Sequence, residues 1–246
     1  MSIQTPEELE HLKAAGRVVA AAIRAMRKAV APGVTTRELD RVGARVFREA
    51  GARSGPQLDY GFPGTTCISV NDEAVHGIPG RRVLQGGDLV KLDVTAELDG
   101  FYADACVSVP VGNARRSTRA LVSAAQAGLS SALRVARAGE PLNGIGRAVE
   151  TTVTDRGYTV CVGLAGHGIG RRIHEAPDVL NHFVPGPSPA LADGLVITIE
   201  PIISAGDGSL AQADDGWTIV TADGALSAHA EHTIVITDGH PIILTA

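Results

Sequence analysis

Aromatic residues are scarce: Phe, Tyr and Trp together make up 3% of the 246 residues, with Trp217 the single tryptophan. A core of this chain must therefore be assembled from Val, Ile, Leu and Ala. Cysteine is scarce as well. Cys67, Cys106 and Cys161 are odd in number and lack any Cys-x-x-Cys spacing, which excludes a disulfide framework and a thiolate zinc knuckle. No apolar run approaches the roughly 18 residues of a membrane-spanning helix. The segment Met1 to Glu8 has neither a basic start nor an apolar stretch, so no secretory leader is expected. No charge of one sign dominates, with 22 basic against 27 acidic residues and a net charge of −5. The basic residues are scattered, which argues against nucleic acid as the main partner. What remains is the expectation of a cytoplasmic globular protein, 44% hydrophobic and long enough to bury a sizeable core.

Several catalytic signatures are absent too. There is no Gly-x-Ser-x-Gly, no His-Glu-x-x-His and no cysteine in a nucleophile setting. The string Gly166-His167-Gly168-Ile169-Gly170 has the wrong spacing for a dinucleotide fingerprint, and no acidic residue follows it at the strand end where such a fingerprint requires one.

What is present begins with helices. Thr5-Pro6-Glu7-Glu8 reads as a capped start, and Leu9, Leu12, Val19, Ile23 and Met26 then recur at helical spacing until Pro32-Gly33. Thr35 and Glu38 form a capping box for a second helix that Gly51 ends. The period then shortens. Residues 67–70, 89–98 and 101–109 read as strands, with Asp99-Gly100 as a two-residue hairpin turn. Helices are expected again over 117–138 and 143–156, closed by Gly139 and Gly157. Residues 196–199 and 233–236 are the clearest later strands, and 184–189 is a Pro/Gly-rich surface loop.

These elements repeat. Gly33 and Gly139 each separate two helices, Gly51 and Gly157 each end the second of a pair, and Leu92-Asp93 and Ile199-Glu200 follow at nearly the same interval. Ala103-Asp104 and Ala230-Glu231 each precede an alternating strand. The chain thus reads as one domain, 1–246, made of two halves of a common plan at roughly 5–110 and 117–246, with four matched acidic residues at strand ends.

If Asp99-Gly100 turns the hairpin, Asp93 faces Cys106 and Asp104 faces Thr95, so both aspartates share a sheet face as diagonal neighbours. An isolated pair of this kind would ordinarily be solvated. Here Asp93 and Glu200 sit inside strongly apolar strands with no basic neighbour expected on the required face, and a bound cation relieves both repulsion and lost hydration. His167 and His174, both beside the glycine-rich string, and His76 in Val75-His76-Gly77 add imidazoles for ligation or proton transfer. Three or four carboxylates with one imidazole suit hard or borderline divalent ions such as Mn, Fe, Co or Zn. Two ions sharing carboxylates would activate water and polarise a carbonyl, which points to hydrolysis.

The segments Cys67-Ile68-Ser69-Val70-Asn71, His76-Gly77-Ile78-Pro79, Leu92-Asp93-Val94, Asp99-Gly100 with Asp104, Gly166 to Gly170, His174-Glu175-Ala176-Pro177, Thr198-Ile199-Glu200-Pro201, Trp217-Thr218 and Glu231-His232-Thr233 occur in that order. With them the chain resembles the type I methionine aminopeptidases from Thr5 to its C-terminus. The resemblance implies the α/β "pita-bread" fold, two similar halves around a dinuclear metal centre. It implies Asp93, Asp104, His167, Glu200 and Glu231 as metal ligands, with Asp104 and Glu231 bridging and Asp93 chelating one ion. Glu200 would also handle the proton of the attacking water, His174 the scissile carbonyl, and His76 the leaving peptide. Phe62, Cys67 and Trp217, with His76 and His174, would bind the substrate, a protein or peptide N-terminus carrying methionine before a small residue. Asp59, Phe62 and Ile173 stand where many relatives carry Tyr, Tyr and Phe. A monomer that meets the ribosome transiently is implied as well. The alternatives are an Xaa-Pro aminopeptidase or prolidase on the same fold, and a non-catalytic, partner-binding relative.

Overall fold

The computed structural model describes residues 1–246. Helix α1 (Pro6–Ala29) starts where the Thr5 hydroxyl accepts the Glu8 N–H, with Pro6 in the first turn, where it gives up no hydrogen bond. The Glu8 carboxylate turns to the Gln4 N–H at 2.7 Å rather than to that of Thr5, so the reciprocal half of a capping box is displaced by one residue. The helix stops at Ala29, ahead of Pro32-Gly33. Helix α2 (Thr36–Ala50) carries the complete Thr35/Glu38 capping box and ends on Gly51 at φ +71°. A two-residue strand β1 (Arg53–Ser54) leads into helix α3 (Gly55–Tyr60), which the sequence pattern did not indicate. Ser54 caps it, and six residues are too few to display a helical apolar period.

Strands β2 (Cys67–Val70) and β3 (Glu73–Val75) precede the long hairpin of β4 (Leu89–Leu98) and β5 (Phe101–Pro110). Asp99 and Gly100 both take positive φ, as a type I′ turn demands. The register is the expected one, with Leu98 facing Phe101, Asp93 facing Cys106 and Thr95 facing Asp104. β4 holds β5 on one edge and β2 with β1 on the other.

Helices α4 (Arg116–Val135) and α5 (Asn143–Thr154) follow, each ending a few residues before the expected glycine. Short strands β6 (Thr159–Val160), β7 (Ala165–Gly168) and β8 (Glu175–Leu180) come next, then β9 (Val196–Ile199), β10 (Ile202–Ser204), β11 (Leu210–Gln212) and β12 (Ile219–Thr221). The chain closes with β13 (Ser227–His229), β14 (His232–Val235) and β15 (Ile242–Ile243). The largest sheet has the order β15-β14-β9-β7-β8; β13-β10-β6 and β11-β12-β3 form smaller ones.

The four acidic residues divide differently than their strand-end expectation. Asp93 and Asp104 lie inside unbroken strands, whereas Glu200 and Glu231 occupy gaps, one between β9 and β10 and one between β13 and β14. Pro201 accounts for the first gap, because proline cannot donate to a ladder.

Helix α1 lies on β4 and β5, and α4 lies on β9, β10 and β13. The first layer encloses 18 buried apolar residues from positions 15–111, the second 21, of which Leu89 is one and the rest come from positions 121–236. The layers meet where β5 runs beside β14. There the Asp104 N–H donates to the Thr233 hydroxyl (2.8 Å), that hydroxyl donates back to the Asp104 carbonyl (2.7 Å), and the Glu231 N–H donates to the Cys106 carbonyl (2.9 Å). No helix is long and apolar enough to cross a membrane.

Helix α1 also packs on the C-terminal segment through Gly16. A Cβ built there would sit 2.1 Å from the Leu244 carbonyl oxygen, a backbone atom that cannot move aside cheaply. Gly16→Ala should therefore destabilise the protein by about 1–3 kcal/mol, in spite of alanine's better helix propensity. Urea unfolding of the two proteins measures it, and equal or greater stability in the variant would contradict this packing.

Candidate active site

Where the layers meet, a cavity of about 280 Å³ opens to solvent. Every residue expected at the site lines it: His76, Asp93, Asp104, His167, His174, Glu200 and Glu231, with Phe62, Cys67 and Trp217. Residues from both halves of the chain thus converge on one space.

The four carboxylates dominate its electrostatics. Asp104, Glu200 and Glu231 are buried and Asp93 is half-buried. Burial pushes the protonation of all four upward, Asp104 to about 6, and repulsion from neighbouring carboxylates adds to burial at Asp93, Glu200 and Glu231, which lie well above the usual carboxylate range. Asp104 Oδ1 and Glu231 Oε1 have no hydrogen-bond partner at all. One ligand atom each from Asp104, His167 and Glu231 lie within 4.8 Å of one another, a spacing suited to a shared ion. Orphaned carboxylate oxygens gathered round an imidazole are a donor set for divalent cations, so the residues present fit that group.

Contrary to the sequence expectation, a lysine does lie on the Asp93 face. Lys91 is two residues away along β4 and fully buried. Its ammonium nevertheless leaves the carboxylates alone. It donates to the Asn71 carbonyl (2.7 Å), the Ser227 hydroxyl (3.1 Å) and the Ser227 carbonyl (3.3 Å). It ties the β2–β3 turn to β13 and leaves the acidic cluster unneutralised.

The Gly-His-Gly motif has a steric cause. A Cβ on Gly166 would stand 2.5 Å from the Thr198 carbonyl oxygen, and one on Gly168 would stand 2.2 Å from that of Ala176. Strand β7 can pass between its neighbours only with glycine on either side of His167. The His167 N–H donates to the Thr198 hydroxyl (3.0 Å), which donates in turn to Glu200 Oε1 (2.9 Å). Nδ1 of His167 lies 2.9 Å from the Gly168 carbonyl, which assigns the ring proton to Nδ1 and frees the Nε2 lone pair. Burial holds this imidazole neutral, pushing its pKa down to about 3.

His76 takes a left-handed φ of +58°. Neighbouring hydrogen bonds fix it there: the Gly77 N–H donates to the Ser69 hydroxyl (2.9 Å) and the Ile68 N–H to the Gly77 carbonyl (2.8 Å). His174 comes from the segment before β8. Its Nδ1 is 2.6 Å from the Tyr60 hydroxyl, and its ring lies tilted against that of His167, with the centroids 4.1 Å apart.

The apolar end of the cavity holds Phe62 and Trp217 edge to face at 5.2 Å, with Cys67, Val75 and Ile173 beside them. Asp59, which the sequence comparison placed at a pocket position, does not line it. Its carboxylate accepts the Tyr102 hydroxyl (2.8 Å) and the Ile173 N–H (3.3 Å). Tyr60 takes the rim instead. Tyr60 and His229 both line the cavity and escaped the sequence reading, the first because α3 was not foreseen, the second because it lies two residues before the more conspicuous Glu231.

With this geometry in place, comparison with known proteins is informative. A model of a family described as metallopeptidase family M24 matches residues 10–238. Methionine aminopeptidase 2 of Bacillus subtilis is 44% identical over 247 aligned residues, covering 100% of this chain and 99% of that protein. Among solved structures, a methionine aminopeptidase from Thermotoga maritima superposes with a TM-score of 0.96 at 37% identity, covering 100% of this chain and 99% of that one. A prolidase from Pyrococcus furiosus has a TM-score of 0.79 at 22% identity and is covered to 65% of its length, a likeness of fold.

The role found for Asp59 can be measured directly. Asp59→Ala strands the buried Tyr102 hydroxyl and should cost about 1–3 kcal/mol in unfolding free energy. Asp59→Asn keeps one acceptor oxygen and should lose less. Equal stability of all three proteins in urea would show that the carboxylate holds nothing.

Proposed function

The chain belongs to metallopeptidase family M24, and from that premise we propose that it removes methionine from the N-termini of proteins and peptides whose second residue is small. The observation that carries the reading is the cavity itself, where an apolar pocket edged by Phe62 and Trp217 abuts a cluster of unneutralised carboxylates. A thioether side chain packs well against aromatic edges.

In this reading Asp93, Asp104, His167, Glu200 and Glu231 hold two divalent ions, drawn from Mn, Fe, Co or Zn. Bound there, such ions supply Lewis acidity for water and for the scissile carbonyl. The protein's own groups do the rest. Glu200, oriented by the Thr198 hydroxyl, accepts the proton of the attacking water. His174 donates to the carbonyl oxygen as negative charge develops on it. The Tyr60 hydroxyl donates to Nδ1 of that ring and keeps the donor proton on Nε2, making Tyr60 a positioning residue. His76, set at the wall by its backbone, positions the leaving peptide. Chain 1–246 acts here as one catalytic domain with two halves, in the cytoplasm, as a monomer that meets nascent chains transiently at the ribosome.

Purified protein should cleave Met-Ala-Ser and leave Ala-Pro-Ala intact. A chelator should abolish the activity, and Mn or Co should restore it. Preference for Ala-Pro-Ala would move the assignment to the prolidase side of the fold, and silence toward both peptides with several metals supplied would remove the catalytic reading.

His174→Ala should lower kcat by about 10²–10³ while metal content per chain stays at the wild-type value. Loss of metal in that variant would place His174 among the ligands instead.

A further inference from the structure

His229 has no role in the site as described so far, yet it is 2% exposed and lines the same cavity. Neither of its ring nitrogens has a hydrogen-bond partner. A neutral imidazole carries one donor and one acceptor, and leaving both unmade in a dry site costs free energy unless another species meets them. The main chain that carries the ring is held. The His229 backbone N–H donates to the Ser108 hydroxyl at 2.8 Å, and that hydroxyl donates to the His229 backbone carbonyl at 2.8 Å, which fixes the end of β13 against β5. His232, three residues on, provides the contrast: its Nδ1 is satisfied by the Thr245 hydroxyl at 2.9 Å.

The distances identify what is missing. His229 Nε2 lies 3.5 Å from Glu231 Oε2 and 3.8 Å from Glu200 Oε2. Both exceed the roughly 2.7–3.2 Å of an N–H···O hydrogen bond. Two donor atoms about 2.1 Å from one tetrahedral ion stand about 3.4 Å apart, a separation these contacts approach. The same holds for His167 Nε2 and Glu200 Oε1, 3.6 Å apart, on the other side of the same carboxylate. Glu200 therefore lies between two imidazoles, each at ligand-sharing distance from one of its oxygens.

We propose that His229 is a sixth metal ligand, a second imidazole that enters the centre beside Glu200 and Glu231 and gives it a six-residue donor set. The proposal rests on the reading of the cavity as a metal centre and goes beyond the five ligands of that reading. A second nitrogen makes the donor set softer without changing its charge, which favours borderline ions over Mn.

Cobalt-loaded protein tests it without reference to turnover. In the proton NMR spectrum of the Co(II) form, each ligand imidazole contributes one hyperfine-shifted, exchangeable ring N–H signal. Two such signals are expected in the wild-type protein and one in His229→Gln. A single signal in the wild type overturns the proposal, while failure of the wild type to take up Co(II) at all overturns the underlying metal reading with it. Calorimetric titration with Co(II) supplies an independent measure. His229→Ala and His229→Gln should each weaken one binding event by more than about 100-fold, beyond the 10–100-fold typical of a group that only orients a ligand. Wild-type affinity in His229→Gln with loss only in His229→Ala would reveal a hydrogen-bond donor and sink the ligand assignment.

Discussion

Four carboxylates crowded into one poorly hydrated cavity are the constraint to which the rest of this molecule answers. At the separations within such a site each pair of like charges repels strongly, and no lysine or arginine offsets them. The nearest buried cation, Lys91, is committed to carbonyl and hydroxyl oxygens of Asn71 and Ser227. The cluster responds by drawing its protonation upward, Asp104 to about 6 and the others further. A protein that keeps such an arrangement needs a cation to occupy it, and the unpaired oxygens of Asp104 and Glu231 point to where one belongs.

Holding those charges together requires that two separately cored layers meet without slack. The cross-links at the seam are hydrogen bonds between groups adjacent to the ligands themselves, such as Asp104 with Thr233 and Glu231 with Cys106. Close backbone approach does the remaining positioning. Glycine flanks His167 because neighbouring carbonyls leave no room for a Cβ, and Gly77 follows His76 for the same reason, with the Ile68 carbonyl 2.4 Å from its hypothetical Cβ. These glycines set how near the imidazoles come to the carboxylates, so their effect is on the chemistry more than on the stability of any one strand.

Much of this was legible in the sequence, and the physical reason is locality. Capping at Thr35, the Asp99-Gly100 turn and the register of β4 against β5 depend on residues a few positions apart, so pattern alone places Asp93 and Asp104 on one face. What escaped depends on distant partners. Helix α3 is too short to show a period, and with it went Tyr60 and the true role of Asp59, whose partners Tyr102 and Ile173 lie far along the chain. Lys91 stands two residues from Asp93 and so on its face, contrary to the expectation of no basic neighbour there, and only the fold reveals the oxygens that receive it. His229 was hidden in Ala-His-Ala-Glu-His, where nothing local separates a satisfied histidine from an orphaned one. The family resemblance supplied roles for the floor of the site but carried Asp59 into a pocket that it does not line.

The difference between the two halves is itself instructive. The first contributes aspartates from an unbroken hairpin, the second glutamates from gaps between short strands. A gap releases backbone groups from their own ladder, and here those groups are spent across elements. The Glu200 carbonyl accepts from the Asn181 side chain at 3.0 Å, and the Glu231 N–H reaches the Cys106 carbonyl in the opposite layer. Had both hairpins been continuous, the second layer would have had no free donor at Glu231 to bind the first, since buried backbone groups in a full ladder are already paired. The gap at Glu231 therefore adds a main-chain bond between the layers beside those that the Thr233 hydroxyl makes to Asp104. The same gap that carries Glu231 also ends β13 at His229, which leaves that imidazole facing the carboxylates of the cavity.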